Sequence, residues 1–243
     1  SASILKIANS AMYARRSKIK DLDTAVNMIG FKKIKTMVLL LAGANLFKKN
    51  SNSYFYQLFW QQSIISAFIA KEITTILDKK NNTDEYFTAA LIHRIGEVPL
   101  YLSDKEKYLE LLKKNKKGDY KFSNMQLEAF SVNSNQIGGE LLEFWEFPKS
   151  LVNSARYACC KKEDESELIV DVVTLSDYIT TQIGFGIPEH IEMGNITELI
   201  QNSGLGEDNY QYLISELFLQ KIKKSVFFKE CQNTLGITLL PGN

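Results

Sequence analysis

Apolar residues recur three and four positions apart along almost the whole chain, and this spacing constrains the fold more than any other feature. In an α-helix such residues share one face, whereas a half-buried strand alternates apolar and polar residues. Strict alternation is rare in the sequence. The pattern runs longest from Tyr54 to Leu77, which predicts a central helix there. We therefore expect an all-α protein that folds as a single multi-helical bundle.

Capping residues divide the rest of the chain into shorter predicted helices. Thr83, followed by two acids, predicts one helix start, and Asp104 predicts another, because side-chain oxygens accept hydrogen bonds from unpaired backbone N–H groups. Further starts are predicted at Asn124, Asn135 and Pro148. Later helices are predicted at about residues 166–183, 196–202 and 208–228, with a loosely held tail at 236–243.

Charge and composition narrow the classes of partner. Lys and Arg total 29 against 28 Asp and Glu, a net charge of +1, so no global field attracts nucleic acid or anionic lipid. We read the lysine clusters as solvated helix faces. No apolar run reaches the roughly 18 residues of a membrane-spanning helix, and no secretory signal is visible. The three cysteines do not form the even-numbered set that is typical of disulfide-bonded secreted proteins. We therefore expect free thiols and a cytoplasmic protein.

Four segments, taken in order, resemble the HDOD family (HD-related output domain), a branch related to the HD metal phosphohydrolases. They are residues 4–13 (ILKIANSAMY) with 25–30 (AVNMIG), 59–63 (FWQQS), 89–96 (AALIHRIG), and 137–142 (IGGELL) with the later 155–160 (ARYACC). The positions that carry the signature are Asn9, Ser10, Trp60, Gly96, Gly138, Trp145 and Pro148.

The resemblance covers about residues 1–186 and implies an HD-like helical domain. Residues 187–243 are then a C-terminal helical extension packed on the same domain. Because the first helix is already under way at residue 1, we expect the family's opening helices either to be missing or to lie upstream of this chain. We also expect Trp60 and Trp145 to anchor the core.

The resemblance also implies where a metal site would have been. Its vestigial positions in this chain are Gln62, His93, Arg94, Ser134, Cys159, Cys160 and Asp177. Histidine is expected at Gln62, near Ser134 and at the cysteine pair, and aspartate at Arg94. A guanidinium has no lone pair for a metal and repels a dication. We therefore expect no bound metal, no cofactor and no catalysis, and a pairing of Arg94 with Asp177 or Glu97.

These readings predict a non-catalytic bacterial signal-transduction output module, which binds a signalling protein or a small anionic ligand and neither nucleic acid nor membrane. One alternative is a residual metal-dependent phosphohydrolase that cleaves cyclic nucleotides with His93 and Asp177. A zinc site of Cys159, Cys160 and His93 is a further alternative, weakened because adjacent helical residues point about 100° apart. No nucleophile elbow, phosphate-binding loop or dinucleotide fingerprint is present.

Overall fold

The computed structural model of the protein describes residues 53–78, 82–115, 120–159, 167–187 and 193–238. Within these ranges every regular element is a helix, which confirms the predicted all-α class. The helices predicted before residue 53, the signature positions Asn9 and Ser10, and Cys160 lie outside the described residues.

The described helices are labelled in chain order: α1 (Tyr54–Ile76), α2 (Thr83–Ile92), α3 (Glu97–Ser103), α4 (Lys105–Lys114), α5 (Phe122–Phe130), α6 (Ser134–Phe144), α7 (Lys149–Tyr157), α8 (Leu168–Gln182), α9 (Met193–Ser203), α10 (Glu207–Leu213), α11 (Glu216–Lys224) and α12 (Val226–Leu235). None of the helices in this part of the chain has the length and hydrophobicity needed to cross a membrane.

Helix α1 is the centre of the bundle. It begins after Ser53, whose side chain accepts a hydrogen bond from the backbone N–H of Tyr56 at 3.2 Å. Nearly all of its faces are buried, because α2, α8 and α12 pack around it. The prediction of a long central helix from Tyr54 is confirmed, with Leu77 as the residue that caps its end.

Helix α6 begins two residues earlier than predicted. Asn133 is the N-cap: its side chain accepts from the N–H of Gln136 at 2.9 Å, and the Gln136 side chain accepts from the N–H of Asn133 at 3.0 Å. Asn135, the predicted cap, instead donates to the carbonyls of Ala155 and Ala158 at 3.0 and 2.9 Å. The amide therefore ties α6 to the end of α7.

Two other predicted caps are displaced by short distances. Helix α5 follows Lys121, so the prediction of a start at Asn124 is wrong. Pro148 precedes α7 as its N-cap and is not part of its first turn. Its fixed φ, here −52°, suits both positions, so sequence alone separates them poorly.

The single helix predicted at residues 208–228 is three helices, α10 to α12. Ser215 and Ser225 adopt extended backbone conformations, and their hydroxyls accept hydrogen bonds from the N–H groups of Phe218 and Phe228. Each serine starts a helix where the apolar spacing alone suggested a continuous one.

The segment after α12 is held against α1, so the expectation of a loose tail is wrong for residues 236–238. The hydroxyl of Tyr56 donates to the Leu235 carbonyl at 2.7 Å, and the Gln57 amide pairs with Gly236 O and Thr238 N at 3.2 and 3.0 Å. Ile237 is buried. The C-terminal helices thus share the core of α1, while the division of the chain at residue 186 stays a prediction.

The two tryptophans differ in burial. Trp60 on α1 is buried, as expected of a core anchor. Trp145 is 42% exposed, so its predicted role in the core is wrong. It caps the C-terminal end of α6, beyond the part of that helix that packs against α7 and α3.

Candidate functional site

Two glycines bring the end of the histidine-bearing segment directly onto α6. A Cβ atom on Gly96 would lie 1.9 Å from the Ser134 carbonyl oxygen and 2.6 Å from the Gly138 nitrogen. A Cβ on Gly138 would lie 3.3 Å from the Gly96 nitrogen. The two backbones therefore touch, which places the first residue of α3, Glu97, beside the first residue of α6, Ser134.

Asp177 on α8 is the centre of the first half of the site. The Arg94 guanidinium reaches it with Nη2 at 2.8 Å from Oδ2 and with Nε at 3.2 and 3.3 Å from Oδ2 and Oδ1. Gln62 on α1 donates its Nε2 to Oδ1 at 2.9 Å. All three side chains are buried, so the predicted pairing of Arg94 with Asp177 is confirmed.

Gln62 also links this carboxylate to the chain after α8. Its Oε1 accepts from the backbone N–H of Ile187 at 2.8 Å. The preceding residue, Gly186, has φ +90°, and a Cβ there would lie 2.4 Å from the Gln62 side chain. Only glycine lets the backbone pass so close in this conformation. The amide thus replaces the histidine that the resemblance implies and uses both of its polar atoms.

Glu97 is the centre of the second half of the site. Its Oε1 accepts from Arg94 Nη1 at 3.1 Å and from the Ser134 hydroxyl at 3.0 Å. Its Oε2 accepts from the Tyr108 hydroxyl at 2.5 Å and from Gln126 Nε2 at 2.6 Å. Four donors therefore satisfy a buried carboxylate, and Arg94 joins it to Asp177.

His93 contacts the same network without closing a second hydrogen bond. Its Nδ1 donates to the Ala90 carbonyl at 2.7 Å. Its Nε2 lies 3.2 Å from Asp177 Oδ1, an ion-pair distance for a protonated ring. The direction of the ring does not give hydrogen-bond geometry there, and Nε2 has no hydrogen-bond partner among the described residues.

The charges of the network shift the pKa values of its members. Burial alone raises the pKa of Asp177, but the Arg94 guanidinium, together with the neighbouring His93 ring, outweighs it and holds that pKa well below its usual range. Burial lowers the pKa of Arg94, yet Asp177 and Glu97 together hold it above its ordinary value. Burial beside Glu97 raises the pKa of Tyr108. The shifts of Asp177 and Arg94 keep their ion pair charged near neutral pH, and the shift of Tyr108 keeps its hydroxyl protonated as a donor to Glu97.

Cys159 lies at the edge of this network. Its Sγ is 3.7 Å from Asp177 Oδ2, and its backbone, at φ +60°, donates from N–H to the Thr174 hydroxyl at 3.2 Å. Because Cys160 lies outside the described residues, the alternative of a zinc site with both thiols stays untested. The third thiol, Cys231, is buried in the C-terminal helices, and burial raises its pKa to about 12.

The side chains in this place do not fit a divalent cation. A metal needs lone-pair donors that converge on an open position, and here a guanidinium stands between the two carboxylates. In the part of the chain that the structure describes, no three His, Cys, Asp or Glu side chains are grouped so that they could hold a metal.

The structure brings together six of the seven predicted site positions. Gln62, His93, Arg94 and Cys159 all lie against Asp177, and Ser134 joins them through Glu97. Sequence reasoning missed Tyr108 and Gln126. Tyr108 sits among charged residues in α4 at a position whose burial the apolar spacing with Leu111 indicates. No pattern in the sequence marks Gln126.

Comparison with known proteins identifies the family. Residues 1–159 match the HDOD domain family, and the chain belongs to it. The fold is shared with an HDOD domain protein of unknown function from Geobacter sulfurreducens, with a TM-score of 0.70 and 19% identity over 98% of this chain and 82% of the other. A candidate signal transduction protein from Marinobacter aquaeolei VT8 gives a TM-score of 0.75 and 18% identity over 97% of this chain and 51% of its own.

Two further relatives complete the comparison. A candidate phosphohydrolase from Shewanella amazonensis SB2B gives a TM-score of 0.65 and 20% identity over 97% of this chain and 82% of its own. An uncharacterised protein from Treponema pallidum (strain Nichols) is 21% identical over 154 residues, which are 63% of this chain. The chain spans 30% of the length of that relative. These likenesses establish the shared HDOD fold.

Proposed function

We propose that this chain is a non-catalytic signal-transduction module of the bacterial cytoplasm that acts by binding another protein. Membership of the HDOD family and the fold shared with a candidate signal transduction protein support the signalling role. The non-catalytic part of the proposal comes from the side chains of this chain itself.

One observation carries the proposal: Arg94 is buried and donates to Asp177 and Glu97 at the same time. A carboxylate that neutralises a guanidinium is a poor ligand for a metal, because the ion would have to displace a neighbouring positive charge. The bundle keeps the HD-like scaffold, while its polar centre serves stability. Candidate phosphohydrolases share the fold. In this chain, the buried Arg94 opposes metal binding and therefore metal-dependent hydrolysis.

Protein contact is favoured over a small anionic ligand for a related reason. The Nε, Nη1 and Nη2 atoms of Arg94 already donate to carboxylates, so an incoming phosphate would compete with two buried anions. A screen of nucleotides by thermal shift tests this point, since any ligand bound only by the folded state raises the melting temperature. We expect no shift.

Metal content and hydrolysis test the proposal directly. The chain, purified after growth with added iron, manganese and zinc, is expected to carry substoichiometric metal by mass spectrometry and to leave bis(p-nitrophenyl) phosphate and cyclic dinucleotides intact. The double variant Gln62→His, Arg94→Asp restores ligand types at two positions and serves as the matched comparison, with an expected gain in bound metal. Stoichiometric metal in the unchanged chain, or turnover lost on His93→Ala, would falsify the proposal.

A further inference from the structure

The segment after α8 is held by two kinds of hydrogen bond. Gly184 and Phe185 donate their backbone N–H groups to carbonyls in the last turn of α8, at 3.0 Å each. Ile187 donates its N–H to a side chain on another helix, since Gln62 Oε1 on α1 accepts it at 2.8 Å. Ile187 and Gln62 are both buried. The hold on Ile187 therefore depends on the direction in which one side-chain amide points.

The amide of Gln62 has one orientation that suits both of its neighbours. Asp177, ionised against Arg94, only accepts hydrogen bonds, and it takes one from Gln62 Nε2 at 2.9 Å. The backbone N–H of Ile187 only donates, so it needs the oxygen of the amide. An amide turned end for end would set its oxygen against the carboxylate and its N–H against the N–H of Ile187. The carboxylate of Asp177 thus fixes the acceptor that holds Ile187.

The carboxylate of Asp177 is held in turn by the residues around it. Arg94 donates to both of its oxygens, from Nη2 at 2.8 Å and from Nε at 3.2 and 3.3 Å. The Oδ1 atom that accepts from Gln62 also lies 3.2 Å from Nε2 of His93. These side chains are buried, so water does not readily replace a partner that is lost there. A change in the contact of Arg94 with Asp177 therefore displaces the acceptor of the Gln62 amide.

We propose that Gln62 couples the ion pair of Arg94 and Asp177 to the backbone at Ile187. When the ion pair changes, the Gln62 amide turns or withdraws, and Ile187 loses its hydrogen bond to α1. The use of this coupling in signalling rests on the function proposed above, because a module that acts by protein contact needs a path from its centre to its surface. The coupling itself does not rest on that function.

Two glycines leave the segment 184–187 free to move once that hydrogen bond is lost. Gly184 and Gly186 have φ of +89° and +90°, and glycine reaches other backbone regions from there at little cost. Gly186 also leaves the space that the Gln62 side chain fills, because a Cβ there would lie 2.4 Å from it. Beyond residue 187 the chain leads to α9, which packs against α8. A change at the polar centre thus has a route along the chain to the C-terminal helices.

Amide hydrogen exchange, followed by NMR on the whole chain, tests the coupling. The measured quantity is the exchange rate of the Ile187 N–H divided by that of the Phe185 N–H, whose bond to α8 does not involve Gln62. Arg94→Lys keeps a positive charge but loses the planar fork of donors that holds both oxygens of Asp177. It should raise the ratio by about tenfold, which is the effect of about one buried hydrogen bond.

A second background shows whether the effect passes through Gln62. In Gln62→Leu the Ile187 N–H has already lost its acceptor, so the addition of Arg94→Lys should not raise the ratio further. Arg156→Lys is the matched control in the unchanged chain, because Arg156 pairs with largely exposed glutamates, and it should leave the ratio as it is.

If Arg94→Lys does not fold, the same ratio is measured in Asp177→Asn, which keeps the size of the side chain. An asparagine presents donors as well as an acceptor, so it no longer fixes the direction of the Gln62 amide, and the ratio should again rise. An unchanged ratio in the folded variant contradicts the coupling. An equal rise in the Gln62→Leu background also contradicts it, since the effect then reaches Ile187 by another route. Metal binding or hydrolysis by the unchanged chain would overturn the proposed function and leave these ratios unaffected, so the two failures are distinguishable.

Discussion

At the residue scale, Arg94 lies between two carboxylates that solvent barely reaches. Replacing it with alanine would leave Asp177 and Glu97 buried without a counter-charge. Removal of one partner from a buried pair costs about 3–5 kcal/mol of the free energy of unfolding. We expect Arg94→Ala to lose stability in that range, measured by urea unfolding followed by circular dichroism.

Arg156 provides the control for this measurement. It also contacts two glutamates, but those are largely exposed, and exposed pairs contribute about 0–1 kcal/mol. Arg156→Ala should therefore change the free energy of unfolding by about 1 kcal/mol or less. If the two alanine variants lose the same free energy of unfolding, the burial of the Arg94 ion pairs does not add to stability.

Only part of the buried polar site could be predicted from the sequence. A pairing of Arg94 with Asp177 or Glu97 was predicted from the family positions, and the structure shows Arg94 paired with both. The hydrogen bonds of Tyr108 and Gln126 to Glu97 were not predictable. They depend on how α4 and α5 pack around α3, and that arrangement is set by tertiary contacts that periodicity does not contain.

At the element scale, the contact of α3 with α6 rests on the absence of a side chain at Gly96. A Cβ there would overlap backbone atoms of Ser134 and Gly138, and a backbone moves less readily than the end of a side chain. Gly96→Ala should destabilise the fold by about 1–3 kcal/mol, as overpacking does, and should separate Ser134 from Glu97. Thermal unfolding measures the first effect.

Gly206→Ala is the matched change for that experiment. A Cβ at Gly206 would meet its nearest atom at 3.9 Å, and φ is −69°, so no overlap arises. Its cost should stay below about 1 kcal/mol, from a weaker N-cap alone. If the two alanine variants unfold at the same temperature, close packing at Gly96 does not limit the approach of α3 to α6.

Prediction of elements succeeded where one apolar pattern was long and failed where a polar side chain decided the boundary. Helix α1 was predictable because its apolar residues recur without a break over 23 residues. The breaks at Ser215 and Ser225 were missed, since a serine is tolerated inside a helix as well as at its N-cap. Which role it takes depends on how α10, α11 and α12 pack together. That packing is set by tertiary contacts, which the local apolar spacing does not contain.

At the scale of the whole molecule, the depressed pKa of Asp177 makes the free energy of unfolding depend on pH in the acidic range. A carboxyl whose pKa is lower in the folded chain than in the unfolded one stabilises the fold above its unfolded pKa, about 3.9. That contribution is lost as the pH falls below this value towards the folded pKa. The unfolded chain then binds the proton first, so the free energy of unfolding falls by up to about 1.4 kcal/mol per pH unit for this group.

Asp177→Asn removes this titration while keeping the size of the side chain. The variant should be less stable than the unchanged chain at pH 6, since Arg94 loses a counter-charge, and the difference should shrink as the pH is lowered from about 4 to 2. Asp208→Asn, at an exposed site on α10, should give a difference that stays small across the range. Urea unfolding at each pH measures both differences. A gap between the unchanged chain and Asp177→Asn that holds constant down to pH 2 would mean that Asp177 has the same pKa in the folded and unfolded chains, and that Arg94 does not control it.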